Sequence, residues 1–229
     1  MIPGADFDDL PQAVKLAEKY SEVYFAVGIH PYDIDKFDEA TMEKYVNHPK
    51  CIAIGECGLD YFRLPEDEFE KQENIKKQKE VFIAQINFAK KVKKPLIVHI
   101  REASNDSRQI LIDCNAKEVG GVLHCFNASE HLLPLAEHNF CFGIGGVLTF
   151  KNAKKLVEIL PEIPKDKLLI ETDAPYLTPH PHRGERNEPY YTVFVAQKMA
   201  ELLNITEEEM QELTTNNAKK LFKEFSSLS

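Results

Sequence analysis

The sequence predicts an α/β protein built as a (β/α)₈ barrel of the TIM type, incomplete at its N-terminal side, with about six of eight strands recognisable. Three observations predict it. Short runs rich in β-formers alternate with longer segments of helical period, the pattern of a parallel sheet covered by helices. The runs are continuously apolar rather than alternating, as in strands buried on both faces. Polar residues close five of the six, and a barrel draws its site from the ends of many strands, whereas a doubly wound sheet uses few.

The chain opens on MIPGAD, which reads as the tail of an earlier strand. A helix is expected over 9–20, with Pro11 near its start and Ala13, Leu16, Ala17 and Tyr20 spaced i, i+3, i+4 and i+7. The six strand-like runs are VYFAVGIHP (23–31), CIAIGE (51–56), PLIVHIR (95–101), GVLHCF (121–126), FCFGIGG (140–146) and LLIETD (168–173). Helices are expected near 73–92, 104–114, 129–138, 151–160 and 190–203, and a last one starts at the capping box of Thr206 and Glu209. The whole reads as a single domain, 1–229.

With 229 residues, 43% hydrophobic and 28% charged, the chain has the composition of an ordinary soluble globular protein. No apolar run reaches the roughly 18 residues of a membrane span. The first residues lack the basic and apolar regions of a signal peptide, so a cytoplasmic protein is expected; a monomer is expected as its oligomeric state. Five cysteines, mostly in apolar runs and without a CxxC pair, read as reduced core residues. A net charge of −9 argues against a broad basic groove tracking many phosphates. It leaves room for a small site that grips one or two phosphates through metal ions and a few arginines.

The chemistry starts from Glu56, a carboxylate delivered by the apolar run CIAIGE. Burying a carboxylate is expensive unless a proton, a cation or a metal meets it. His30, His99, His124 and Asp173 also close runs, and strand parity puts Ala26, Gly28 and His30 on one face, Ile97, His99 and Arg101 on one face, and Glu171 with Asp173. If the strands are parallel, these groups gather at one mouth. Imidazoles and carboxylates meeting in a half-buried cavity form a divalent metal site.

GIHPYD, GECGLDYF, VHIREA, LHCF, CFGIGGVLTF and ETDAPYLTPHPHRGERNEP, in this order, resemble the signatures of the TatD-type metal-dependent deoxyribonucleases, within the amidohydrolase-like barrels. The likeness runs from about residue 23 to TTNNAKKLF near the C-terminus; GECGLD with ETDAPYL is its most specific part. It implies one or two divalent ions, magnesium, manganese or zinc, and hydrolysis of DNA, single-stranded or at 3′ ends, as a 3′ to 5′ exonuclease. By motif, Glu56 would bridge two ions, and His99 and His124 would hold one of them. Asp173 would bind the other and orient or deprotonate the attacking water. His30 would line the pocket near the substrate.

Arg101 would steady a phosphate oxygen or pair with a buried carboxylate such as Glu171. Arg183 and Arg186, in the proline-stiffened loop TPHPHRGERNEP, would clamp a phosphate or remain solvated, and Arg63 with its neighbouring aromatics would meet a terminal base or head a solvated helix. The family's first strand carries an H-x-H pair that helps hold one metal, and this sequence has none. The expectation is therefore a chain lacking an upstream segment, with part of one metal shell. Hydrolysis of a small ester, lactone or amide, or of an aminoacyl-tRNA ester, competes as substrate class, and an inactive binding protein is the non-enzymatic alternative.

Overall fold

The computed structural model describes residues 1–227, so the last two residues of the expected 1–229 domain lie outside the described residues. Six strands among these residues form one sheet: β1 (Phe25–Val27), β2 (Cys51–Asp60), β3 (Leu96–Arg101), β4 (Gly121–Leu123), β5 (Phe140–Ile144) and β6 (Leu168–Ile170). All neighbours are parallel and the spatial order equals the chain order. Among the described residues seven α-helices connect or cover them: α1 (Leu10–Lys19), α2 (Glu39–Val46), α3 (Glu68–Val92), α4 (Ser104–Asp113), α5 (Lys154–Ile159), α6 (Thr192–Leu203) and α7 (Glu207–Leu221). This is a TIM-barrel-like arrangement. Ile2 continues the sheet beyond β1 through a parallel bridge to Phe25, which agrees with reading the first residues as the tail of a strand. No helix among the described residues is long and apolar enough to cross a membrane.

Two apolar layers hold the fold. The larger packs the outer faces of the strands against the helices, with Phe25, Phe82, Ile86, Phe140 and Phe142 all buried. The smaller lies inside the curved sheet and takes residues from every strand: Ala26, Ile52, Ile97, Val122, Cys141 and Leu169, capped by Phe222. Two residues further along five of these chains stand Gly28, His99, His124, Gly143 and Glu171. Strand parity therefore carries the inner apolar layer directly into the candidate site.

Several elements differ from the expectation. Strand β2 does not end at Glu56 but runs to Asp60, so the glutamate is an interior strand residue. Its pairing with β3 steps from Ile54↔Leu96 to Cys57↔Val98, three residues against two, and Glu56 sits in that bulge. A bulge of this kind re-aims a side chain. Gly55 and Gly58 have φ of +152° and +146°, and a Cβ on them would come within 2.6 Å of the Ile97 carbonyl and 2.0 Å of the His99 carbonyl. These glycines admit the backbone of β3. The segment 129–138 is a 3₁₀ helix (Glu130–His138) because Pro134 lies inside it and removes an α-helical donor. Helix α2, unanticipated, is started by Asp38, which accepts from the N–H groups of Ala40 and Thr41. The capping box of Thr206 and Glu209 is formed as expected.

Candidate metal centre

Glu56 lies at the focus of the site, only 7% exposed. Its Oε1 is 2.9 Å from His99 Nδ1, 3.8 Å from His30 Nε2 and 4.0 Å from His124 Nε2. His124 Nε2 also lies 3.3 Å from Asp173 Oδ1. Each imidazole is held from behind. Asp60 Oδ2 meets His99 Nε2 at 2.9 Å, Glu171 Oε2 meets His124 Nδ1 at 2.5 Å, and the Tyr32 N–H donates to His30 Nδ1 at 3.1 Å. The two supporting carboxylates are fixed in turn, Asp60 by the N–H of Phe62 and Glu171 by the N–H of Cys125.

The electrostatics follow from this packing. Burial pushes the Glu56 carboxyl up, but the His99 hydrogen bond and the charges of His124, His99 and His30 outweigh it and bring it to about 2. Burial lowers His99, yet its bonds to Asp60 and Glu56 leave it raised; His124 is raised well above its ordinary value by Glu171, Asp173 and Glu56 against the same burial. His30 has no such partner, and burial with the neighbouring His99 charge brings it down to about 4. Asp60 stays low because the His99 and Phe62 bonds overcome its burial.

Asp173 leaves β6 on a backbone with φ of +56°. Buried Asn187 shapes this turn: its Nδ2 donates to the carbonyls of Thr172 and Tyr176, and its N–H to that of Pro175. A cavity of about 820 Å³ opens beside Glu56, His124, Glu171 and Asp173, reaching from the inner apolar layer to Pro189 and Thr192. Its size falls within the range of small-molecule pockets.

The site therefore brings together His30, Glu56, His99, His124 and Asp173. Sequence reasoning missed Asp60, although Glu56, Gly58 and Asp60 alternate along β2. The arginines take other places. Arg101 lies over the Phe62 ring at 3.6 Å at the exposed mouth and makes no pair with Glu171, whose partner is His124. Arg63 lies over Tyr32 at 5.4 Å on the same rim. Arg183 donates to the Thr178 carbonyl of its own loop and stacks on Phe150, which follows β5, while exposed Arg186 pairs with Glu188.

A divalent cation fits this donor set. One ligand atom from each of His30, Glu56 and His99 falls within 4.8 Å of the others, and carboxylates outnumber imidazoles around them. Hard carboxylate with borderline imidazole suits magnesium, manganese or zinc.

A TIM-barrel-like sheet with a carboxylate and imidazole cluster at the C-terminal ends of its strands defines the class of metal-dependent hydrolases. The sequence profile of the TatD related DNase family matches residues 1–223, and the chain belongs to that family. It is 45% identical, over 97% of its length and 86% of the relative, to the uncharacterized metal-dependent hydrolase YabD of Bacillus subtilis. It is 35% identical, over the same shares of both chains, to the 3′-5′ ssDNA/RNA exonuclease TatD of Escherichia coli. The crystal structure of the TatD homologue YJJV from Escherichia coli superposes with a TM-score of 0.85 at 26% identity, covering 96% of this chain and 85% of the other.

Proposed function

We propose that this chain hydrolyses phosphodiester bonds of single-stranded nucleic acid, DNA first among them, working from 3′ ends with one or two divalent metal ions. The observation that carries it is the convergence of His99 and His124 on a buried, ionised Glu56, with Asp173 against His124, beside a cavity of about 820 Å³. Family membership supports the reading, as does the 35% identity to a relative named as a 3′-5′ exonuclease.

Glu56, His99, His124 and Asp173 would hold the metal, which when bound neutralises charge on a phosphoryl oxygen and makes a water more acidic. The protein's own groups do the rest. Asp173, at the cavity wall, orients the attacking water and accepts its proton. Asp60 and Glu171 keep the two ligand imidazoles from turning. At the mouth, Phe62 and Tyr32, half exposed and backed by Arg101 and Arg63, offer aromatic faces to a base and cations to a phosphate. This rim favours a nucleic acid over a small lactone, which would use neither.

The test is digestion of a single-stranded oligodeoxynucleotide with added magnesium, manganese or zinc, alongside Glu56→Gln and Asp173→Asn. Wild-type protein shortens the strand from its 3′ end, and both variants leave it intact. Intact DNA in every metal, with a lactone or an aminoacyl ester cleaved instead, sinks the nuclease reading.

A further inference from the structure

The side chains of the candidate centre are held in two different ways. His99 and His124 have carboxylates behind their rings, and backbone N–H groups pin those carboxylates in turn. Asp173 has no such support. Its side chain is 32% exposed, and among the described residues its one hydrogen-bonding partner is His124 Nε2 at 3.3 Å. The direction of its carboxylate is therefore set by the backbone that carries it. That backbone is left-handed, with φ of +56°, a conformation that a non-glycine residue keeps only where its surroundings impose it.

Asn187 imposes it. Only 2% exposed, it donates from Nδ2 to the carbonyls of Thr172 at 2.7 Å and Tyr176 at 2.6 Å, and from its backbone N–H to that of Pro175 at 3.0 Å. These carbonyls lie on both sides of Asp173 along the chain. Oδ1 has no partner among the described residues, so the side chain is anchored through its donors alone. The loop that delivers Asn187 is itself tied down. Thr178 Oγ1 donates to the Glu185 carbonyl at 2.6 Å, and the His180 N–H donates to Thr149 Oγ1 at 2.8 Å. Arg183 lies on Phe150 with its guanidinium 3.9 Å from the ring centroid. The polar groups of this loop thus hold the loop to itself, to the segment after β5 and to the Asp173 turn.

We propose that Asn187 is a positioning residue for Asp173: its amide, braced by the loop, fixes the left-handed turn and so aims the Asp173 carboxylate at the centre. The task of that carboxylate, holding a cation and taking a proton from water, rests on the function proposed above; the dependence of its placement on Asn187 does not.

The test is a double-mutant cycle read by zinc affinity and by turnover of bis(p-nitrophenyl) phosphate. Asn187→Ala is expected to weaken zinc binding roughly 10- to 100-fold, as loss of a group that orients a ligand does. It is expected to lower kcat by a similar factor with KM unchanged. On an Asp173→Asn background it adds nothing to either loss, because a residue acting through Asp173 has nothing left to position. Thr178→Val deletes a buried bond of the same loop that does not touch the turn. It is expected to lower the melting temperature and keep zinc affinity. Should Asn187→Ala not fold, Asn187→Ser carries the same cycle, since one hydroxyl donates to only one of the two carbonyls. A further loss of zinc on the Asp173→Asn background, unchanged zinc affinity in a folded Asn187 variant, or a loss as large in Thr178→Val each overturns the proposal. If the wild-type protein cleaves no phosphodiester, the nuclease reading fails, while the zinc cycle still decides whether Asn187 acts through Asp173.

Discussion

Gln85 of α3 occupies both backbone hydrogen-bonding groups of Ile29: its Oε1 accepts from the Ile29 N–H at 2.8 Å and its Nε2 donates to the Ile29 carbonyl at 3.0 Å. Two helical turns earlier, Gln78 makes the same pair of bonds with Asp60, at 2.9 Å each. One helix thus holds the residue before His30 and the carboxylate behind His99 with two buried amides.

Replacing Gln78 or Gln85 by Leu leaves a buried N–H and carbonyl without partners, at a cost of about 1–3 kcal/mol for each unpaired group. Urea unfolding is expected to show this loss for each variant, and zinc affinity is expected to fall with it, more for Gln78→Leu because Asp60 directly holds His99. A Gln78→Leu protein as stable as wild type would mean that water or a shifted backbone satisfies Asp60, and the positioning argument would be lost.

Gly58 faces a harder limit. A Cβ there would lie 2.0 Å from the His99 carbonyl, on a backbone with φ of +146°. Gly58→Ala must push β2 from β3 where Glu56 and His99 meet, so a loss of about 3 kcal/mol and weaker metal binding are expected. Gly184, also at positive φ but with no atom within 4 Å of an added Cβ, is the control: Gly184→Ala bears only the backbone cost. Equal thermal shifts for the two variants would remove the close strand approach as the cause.

Glu56 was legible in the sequence because a carboxylate inside an apolar run is a physical anomaly, and His99, His124 and Asp173 because each closes an apolar run. Asp60 was not, because the apolar run stops before it and nothing marks the strand as continuing through Gly58 to a second buried carboxylate. The role of Glu171 was half visible: parity placed it with Asp173, but its partner is His124, since Arg101 reaches outward to Phe62 instead. Helix α2 carried a signal in Asp38 followed by Met42 and Val46, yet its two buried positions are too few to establish a period. Which carboxylate backs His99 and which backs His124 depends on contacts from distant elements, and no local pattern records it.

The metal-free protein has a predictable stability profile. His99 and His124 have raised folded pKa values, so their contribution is full below the ordinary imidazole value of about 6.5 and is lost as pH rises through the folded values. His30, brought down to about 4, works the other way: its contribution is full above that ordinary value and falls as pH drops toward 4. Glu56, held at about 2, and Asp60, also lowered, add stability that is lost in stronger acid. Thermal melts in a chelator should therefore peak near pH 6.5 and decline on both sides. His124→Asn should flatten the alkaline limb, and zinc should restore it in the wild type, since a bound cation replaces imidazole protons. An alkaline limb unchanged by His124→Asn would show that other groups set it.

The rim decides between a polymeric and a small substrate. Phe62 is 50% exposed, with the Arg101 guanidinium 3.6 Å from its ring centroid. If a base stacks there, Phe62→Ala removes about 1–3 kcal/mol of binding, which raises KM for a single-stranded oligonucleotide roughly 5- to 150-fold at about 1.4 kcal/mol per tenfold. Arg101→Ala should act in the same direction and also reduce the dependence of KM on salt, because it removes a cation near the phosphates. Neither change touches Glu56, His99, His124 or Asp173, so turnover of a small phosphodiester such as bis(p-nitrophenyl) phosphate should stay as it was. A fall in small-substrate turnover as large as the rise in oligonucleotide KM would mean that the rim supports the metal centre rather than the strand, and the preference for nucleic acid would need another source.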